Sequence, residues 1–218
     1  MSDGMDTLTG IVLAAYPYGD YDKRLTILTR ERGKITAFAK GARRPRSPLL
    51  SVCDSFVFGE YSVYAGKSSY SLVKASVKNY FQGLRDDFEG ACYGFYFCEI
   101  ADYYTREEND EIEMLKLLYQ SLRALEKGKI PDELVRYIYE LKVLVVNGEC
   151  PPDFDEQDIG GTAKYTLHFI AQTPVEKLYS FTVSEEVLGE LRFVMRRYRE
   201  RYMEGRFKSL EVLESLLD

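Results

Sequence analysis

The chain has 218 residues, 45% of them hydrophobic, and a formal net charge of −6, enough material for one large core or two small ones. No run of about 18 apolar residues occurs, which excludes a transmembrane helix, and the opening MSDGMDTLTG lacks the basic and apolar regions of a signal peptide. Cys53, Cys92, Cys98 and Cys150 form no CxxC pairing, which excludes a disulfide framework and suits free thiols in a reducing cytoplasm.

From Leu8 to about Phe81 the pattern predicts five short strands. Leu8–Ala15 is apolar enough for a buried strand and is broken by Tyr16-Pro17-Tyr18-Gly19-Asp20. Leu25–Leu28 and Ile35–Ala39 flank a turn at Glu31-Arg32-Gly33-Lys34, where Gly33 is free to take a positive φ. Phe56–Tyr64 follows, then a hairpin turn at Ala65–Ser69. In Ser71–Val77 the alternation puts Val73, Ala75 and Val77 on one face and Lys74 and Lys78 on the other. Five strands fit an OB-fold or an SH3-like barrel equally well.

Within this region lies the most unusual stretch of the chain. Lys23, Arg24, Arg30, Arg32, Lys34, Lys40, Arg43, Arg44 and Arg46 stand against the single acid Glu31. Nine cations and one anion give +8, which leaves −14 for the rest of a chain whose net charge is −6. Such segregation predicts a polyanion site, because solubility alone does not require it. Basic residues on a barrel face neutralise backbone phosphates, and aromatics among them stack on unpaired bases. Phe38, Tyr16, Tyr18 and Tyr21 are the aromatics in reach, with the barrel core as the other destination for Phe38. The loop Ala42-Arg43-Arg44-Pro45-Arg46-Ser47-Pro48 is the sharpest element, a proline-stiffened display of three arginines.

After Leu84 the period becomes helical. Asp86–Tyr104 and Glu111–Leu125 read as helices, with Gly128 as a stop after the second. A third opens at Pro131-Asp132-Glu133 and runs to about Val146. Ser184-Glu185-Glu186 caps a long fourth helix with Val187, Leu188, Leu191, Val194, Met195, Tyr198 and Tyr202 on its apolar stripe, and a short helix at Leu210–Leu216 closes the chain. Cys92 and Cys98 lie about 240° apart around a helix and do not converge on a metal. Between the third and fourth helices, Glu149–Thr173 reads as an irregular segment marked by Pro151, Pro152, Gly160 and Gly161. It carries Asp153, Asp155, Glu156 and Asp158, and then a short strand at Tyr165–Ile170.

No enzyme constellation emerges. His168 is the single histidine, and a core or surface role is its ordinary reading. Ala65-Gly66-Lys67-Ser68 ends like a P-loop, but the first glycine of that motif would fall at Tyr61, and a strand rather than a helix follows. Asp20 and Asp22 could hold Mg²⁺ in a nuclease, although such a pair more often fixes a turn.

Three segments carry a family resemblance: TGIVLAAYPYGDYD at residues 9–22, GKITAFAKGARRPRS at Gly33–Ser47, and, more weakly, GRFKSLEVL near the carboxyl end. Together they resemble RecO, a family of bacterial recombination mediators. The resemblance, and not periodicity, selects an α+β architecture with a five-stranded OB-fold barrel over residues 1–82 and a helical domain over 83–218. It implies binding of single- and double-stranded DNA at Lys23, Arg24, Arg30, Arg32, Lys34, Phe38, Lys40, Arg43, Arg44 and Arg46. It further implies annealing of strands coated with single-strand-binding protein, loading of RecA with RecR in the RecF pathway, and a cytoplasmic, nucleoid-associated location. The acidic tail of the single-strand-binding protein would dock on a basic, apolar patch of the helical domain. Arg123, Lys127, Lys129, Arg136, Lys142, Arg196, Arg197, Arg199 and Arg201 are the cations available there. Many relatives insert a four-cysteine zinc module where this chain has residues 149–173. With only Cys150 and His168 in that segment, a tetrahedral site does not close, so no metal or other cofactor is expected. The competing reading is a protein-interaction module whose basic loop grips an acidic partner.

Overall fold

A computed structural model describes residues 4–149, 154 and 158–217. Strand β1 (Met5–Tyr18) is long enough to pair on both sides. Its first half runs antiparallel to β4 (Phe58–Ala65), from Met5↔Tyr64 to Ile11↔Phe58. Its second half pairs with β2 (Asp22–Thr29), from Gly10↔Thr29 to Tyr18↔Asp22. The β2 strand turns into β3 (Gly33–Ala39), β3 lies parallel to β5 (Tyr70–Asn79), and β5 returns antiparallel to β4. The result is a closed barrel in the order β1-β2-β3-β5-β4. A three-strand meander joined to β5 by one parallel contact is the OB arrangement, which decides between the two barrels the strand count left open.

The barrel interior is filled by Leu8, Val12, Leu25, Ile27, Ile35, Ala37, Tyr61, Val63 and Leu72. A register shift between Val12 and Ala14 marks a bulge in β1. One extra residue reverses the side-chain phase of a strand. Ile11 before the bulge and Leu13 within it face outward into the helical core; after it, Ala15 packs against the barrel core. Tyr16 and Tyr18 therefore face out to solvent.

A second bulge corrects the reading of β5. Ser62 pairs with Lys74 and Val63 with Leu72, so Val73 is skipped. Leu72 is buried and Val73 exposed, while Ala75 and Val77 pack on the barrel core, so Val73 does not share the one face on which simple alternation puts all three.

The remainder is helical: α1 (Gln82–Asp86), α2 (Phe88–Tyr104), α3 (Ile112–Lys127), α4 (Asp132–Val146), α5 (Gly161–Gln172), α6 (Glu185–Tyr202) and α7 (Lys208–Leu217), with a 3₁₀ turn at Val175–Lys177. Gly128 takes φ 55 and ends α3, its N–H donating to the carbonyls of Ala124 and Leu125. The Ser184 hydroxyl accepts from Val187 N and caps α6. Helices α2 and α4 form the centre, with Phe97 stacked on Tyr139 at 4.3 Å and the Tyr139 hydroxyl donating to the Phe97 carbonyl.

The strand expected at Tyr165–Ile170 is instead part of α5. Ala163, Thr166, Leu167 and Ile170 are its buried residues, a spacing of three, four and seven that belongs to a helix. A six-residue window held too few positions to separate the two periods. The expectations for Cys150, Pro151, Pro152, Asp153, Asp155 and Glu156 fall outside the described residues. Among the described residues no helix is long and apolar enough to cross a membrane.

Candidate nucleic-acid interface

The basic loop after β3 is built from the inside out. Ala42, Leu49, Val52 and Cys53 drop into the barrel core and close that end of it. Their burial pushes the intervening Arg43, Arg44 and Arg46 to the surface. Successive turns stiffen the segment: Arg44 N donates to the Gly41 carbonyl at 3.0 Å and Ser47 N to the Arg44 carbonyl at 3.1 Å. Three contacts tie the loop to the β1–β2 turn, one of them from Arg43 Nη1 to the Gly19 carbonyl at 3.4 Å. Arg43 N donates to the Tyr21 carbonyl at 2.8 Å, and Gly41 N donates to Asp22 Oδ1 at 2.7 Å. Asp22 thus fixes a turn, while Asp20 is exposed beside it.

The outer face of the adjoining strands continues the same surface. Tyr16 on β1 is in register with Arg24 on β2, Arg24 with Phe38 on β3, Phe38 with Ser71 on β5, and Ser71 with Tyr64 on β4. Residues directly opposite share one side of a sheet, so these five form a band across the barrel. The Arg24 guanidinium lies 5.9 Å from the Tyr16 ring centroid, and Arg44 lies 5.3 Å from that of Tyr21. Phe38 is half-buried on the outside, its ring 4.8 Å from Tyr18; it is not in the barrel core. Tyr16, Tyr18 and Tyr21 are 55, 54 and 52% exposed.

The nine cations of the stretch divide into two sets. Among the described residues, no carboxylate lies within ion-pair distance of Arg24, Arg30, Lys40, Arg43, Arg44 or Arg46. Lys23, Arg32 and Lys34 are taken by acids. Lys23 Nζ is 2.5 Å from Asp54 Oδ1 and donates to the Cys53 carbonyl at 2.9 Å. Arg32 reaches Glu108 at 3.2 Å and Asp6 at 3.8 Å, and Lys34 reaches Asp102 at 2.9 Å. These partners are 31 to 76 positions distant or sit on another strand, so spacing alone gave no sign of them. Burial pushes the Cys53 thiol up to about 12, with Lys23 acting against the shift, so it stays protonated at neutral pH.

Of the cations considered in the helical part, two are not at the surface. Arg136 is buried against Glu140 at 2.9 Å. Lys142 is buried and donates to the carbonyls of Ala171 and Thr173, each at 2.8 Å, closing the end of α5. A stripe of apolar neighbours around both positions in α4 hid them, because the helix is covered on nearly every side. His168 is exposed on α5 with its ring edge-on to Phe154 at 4.9 Å. Among the described residues no group of three His, Cys, Asp or Glu side chains is placed to hold a metal ion.

The family model described as Recombination protein O N terminal matches residues 2–81, and the one described as Recombination protein O C terminal matches residues 85–162. The chain belongs to the RecO family. A DNA repair protein RecO of Acetivibrio thermocellus is 29% identical over 242 residues, covering 95% of this chain and 96% of that protein. One from Clostridium perfringens is 28% identical over 236 residues, covering 94 and 96%. A third, from Moorella thermoacetica, reaches 36% over 148 residues, or 68% of this chain and 55% of its own. RecO membership places the chain among DNA repair and recombination proteins, with the α+β arrangement described above. Tyr64 is the exposed aromatic of this band that sequence reasoning missed. Only the strand register brings it into the band, because it lies 26 positions from Phe38 on the other side of the closed sheet.

Proposed function

We propose that this RecO-family chain is a DNA-binding recombination mediator whose nucleic-acid face is the outer face of β2 and β3 together with the basic loop. Arg24, Phe38, Lys40, Arg43, Arg44 and Arg46 carry it, with Tyr16, Tyr18, Tyr21 and Tyr64 as stacking surfaces. The observation that supports this most is the co-location of cations free of carboxylates with exposed aromatic rings on the strand 2–3 face, which OB-folds use for oligonucleotides. Cations serve duplex and single strands alike through their phosphates, and the rings add affinity for unpaired bases. Lys23, Arg32 and Lys34 are left out of this face because their charges are already matched within the molecule.

Charge neutralisation lets two polyanionic strands approach, so the protein anneals strands coated with single-strand-binding protein without making or breaking a covalent bond. In this reading residues 1–82 bind DNA in the cytoplasm, at the nucleoid, while residues 83–218 dock RecR and the acidic tail of the single-strand-binding protein, leading to RecA loading. An apolar groove of about 490 Å³ between barrel and α3 is lined by Phe58, Ile112, Leu115 and Tyr119; at its rim Lys116 is paired with Glu113 and Glu176, which leaves Arg30 as the cation for an acidic tail ending in apolar residues.

Annealing of complementary strands pre-coated with the cognate single-strand-binding protein, followed across a salt series, tests the reading. Salt-sensitive acceleration is expected. The triple variant Arg43→Ala, Arg44→Ala, Arg46→Ala should remain folded, bind oligonucleotides more weakly, and lose about 2 from the salt slope, at roughly 0.7 per phosphate contact on single strands. Oligonucleotide binding without annealing would remove the mediator role. Neither activity would return the chain to a protein-interaction module.

A further inference from the structure

We propose that the acidic segment Arg106–Glu111, with Asp102 at the end of α2, covers Arg32 and Lys34 of the β2–β3 hairpin and so ends the DNA footprint at the open loop. The inference rests on the DNA-binding reading above and adds a built-in competitor for the same ligand.

The hairpin turn presents Arg30, Arg32 and Lys34 at the end of the barrel away from the basic loop. A short piece of sheet holds the segment against it. Lys34 N donates to the Arg106 carbonyl at 2.9 Å, Glu108 N donates to the Arg32 carbonyl at 2.9 Å, and Gly33 bridges Glu107. The approach is close enough to require glycine. Gly33 has φ 62, and a Cβ there would collide with the Arg106 carbonyl oxygen and stand 2.9 Å from that of Asn109.

With the backbone fixed, the carboxylates fall on the cations. Glu108 Oε2 is 3.2 Å from Arg32 Nη1, and Asp102 Oδ1 is 2.9 Å from Lys34 Nζ, which also donates to the Asp102 main-chain carbonyl. Asp110 and Glu111 turn back on their own segment, accepting from Ile112 N at 3.2 Å and Arg106 N at 3.0 Å. Glu107 and Glu108 are left exposed. Carboxylate and phosphate oxygens make the same charge-assisted bonds to Arg and Lys. The segment therefore stands where a phosphate backbone leaving the loop along β2 and β3 would need to go. Exposed ion pairs of this kind are weak and screened by salt, so the cover acts by competition and not by rigid closure.

The test measures oligothymidylate affinity over a salt series for wild type, for Asp102→Asn with Glu108→Gln, for Arg32→Gln with Lys34→Gln, and for all four changes together. Removing the two acids should tighten binding several-fold at low salt and steepen the salt slope by about 0.7 for each cation released to a phosphate. The two cation changes alone should leave the wild-type slope in place, yet abolish the gain when combined with the acid changes. Glu185→Gln, at the start of α6, measures what loss of one remote negative charge does by itself. A slope unchanged by the acid substitutions overturns the cover, as does a gain that survives loss of Arg32 and Lys34. If the acid variant does not fold, the cation variant decides alone, and a slope reduced by about 1.4 overturns the proposal. Wild-type protein that binds no oligonucleotide defeats the DNA-binding reading itself, a result distinct from either.

Discussion

Asp132 opens α4, where a helix N-terminus favours a carboxylate, yet its pKa is pushed from 3.8 up to about 6. Partial burial is the main cause, and Asp87 and Glu89 nearby add like-charge repulsion. Between those two values the folded protein holds the proton more firmly than the unfolded chain does, so stability falls as pH rises through the window. Above about 6 the charged form carries the full cost. Asp132→Asn is therefore expected to raise Tm at pH 7.5 relative to wild type and to lose that advantage near pH 4. The gain is reduced by whatever the charge contributes at the helix start, about 0.3–1 kcal/mol. Paired melts at the two pH values check this, and an equal difference at both would show that the carboxylate is not strained by its surroundings. Gly33 shows the reverse kind of demand. Its freedom to take a positive φ was legible in the turn sequence, but the reason for it, the pressure of the Arg106 carbonyl, came from a segment more than seventy positions away.

Strand register, rather than composition, is what gathers the aromatic and basic residues of the barrel face into one row. Tyr18 and Phe38 touch ring to ring at 4.8 Å, and Tyr16 and Arg24 extend the row. Replacing Tyr18 and Phe38 together by Ala should weaken single-strand binding by about 1–3 kcal/mol for each base that loses its stacking partner. Duplex affinity at the same salt should hold, since paired bases offer no free face. Anisotropy titrations of one labelled sequence in both forms decide it, and equal losses would assign the rings to phosphate positioning. The strands themselves were legible because β2, β3 and β4 alternate or run apolar in the ordinary way. What could not be read were the bulges at Leu13 and Val73, each of which reverses the inward phase without any mark in the local sequence. Helix α5 was misread for a related reason. Tyr165–Ile170 is rich in β-formers, and its helical spacing becomes visible only when Ala163 is included. In the same way the basic stretch was legible as charge, but its division into open and acid-covered sets depends on tertiary neighbours at Asp54, Asp102 and Glu108.

Barrel and helices share a hydrophobic seam that the local patterns did not announce. Ile11, Leu13, Leu28 and Phe56 belong to the helical core and not to the barrel interior. Phe56 is the centre of it: buried, at φ 72, with its ring 4.8 Å from Phe95 and so close over Gly94 that an added Cβ there would stand 3.0 Å from it. A residue held in the left-handed region persists only where its surroundings over-determine it, and here both bodies do so. Phe56→Ala should cost about 3–5 kcal/mol, as large-to-small changes of buried aromatics do. The more telling measurement is urea unfolding followed by two signals, circular dichroism for the helices and amide exchange for β1–β5. In wild type the seam should make the transitions coincide, the mark of one cooperative unit. In Phe56→Ala the barrel signal should separate from the helical one, because the seam loses its central ring and keeps only Ile11, Leu13, Leu28 and the Phe58–Tyr119 contact, beside the exposed ion pairs and two main-chain bonds at Arg32, Lys34 and the 106–108 segment. Loss of stability with the two transitions still superimposed would move the coupling from the apolar seam to that latch. Removal of Asp102 and Glu108 would then have to split the transitions instead.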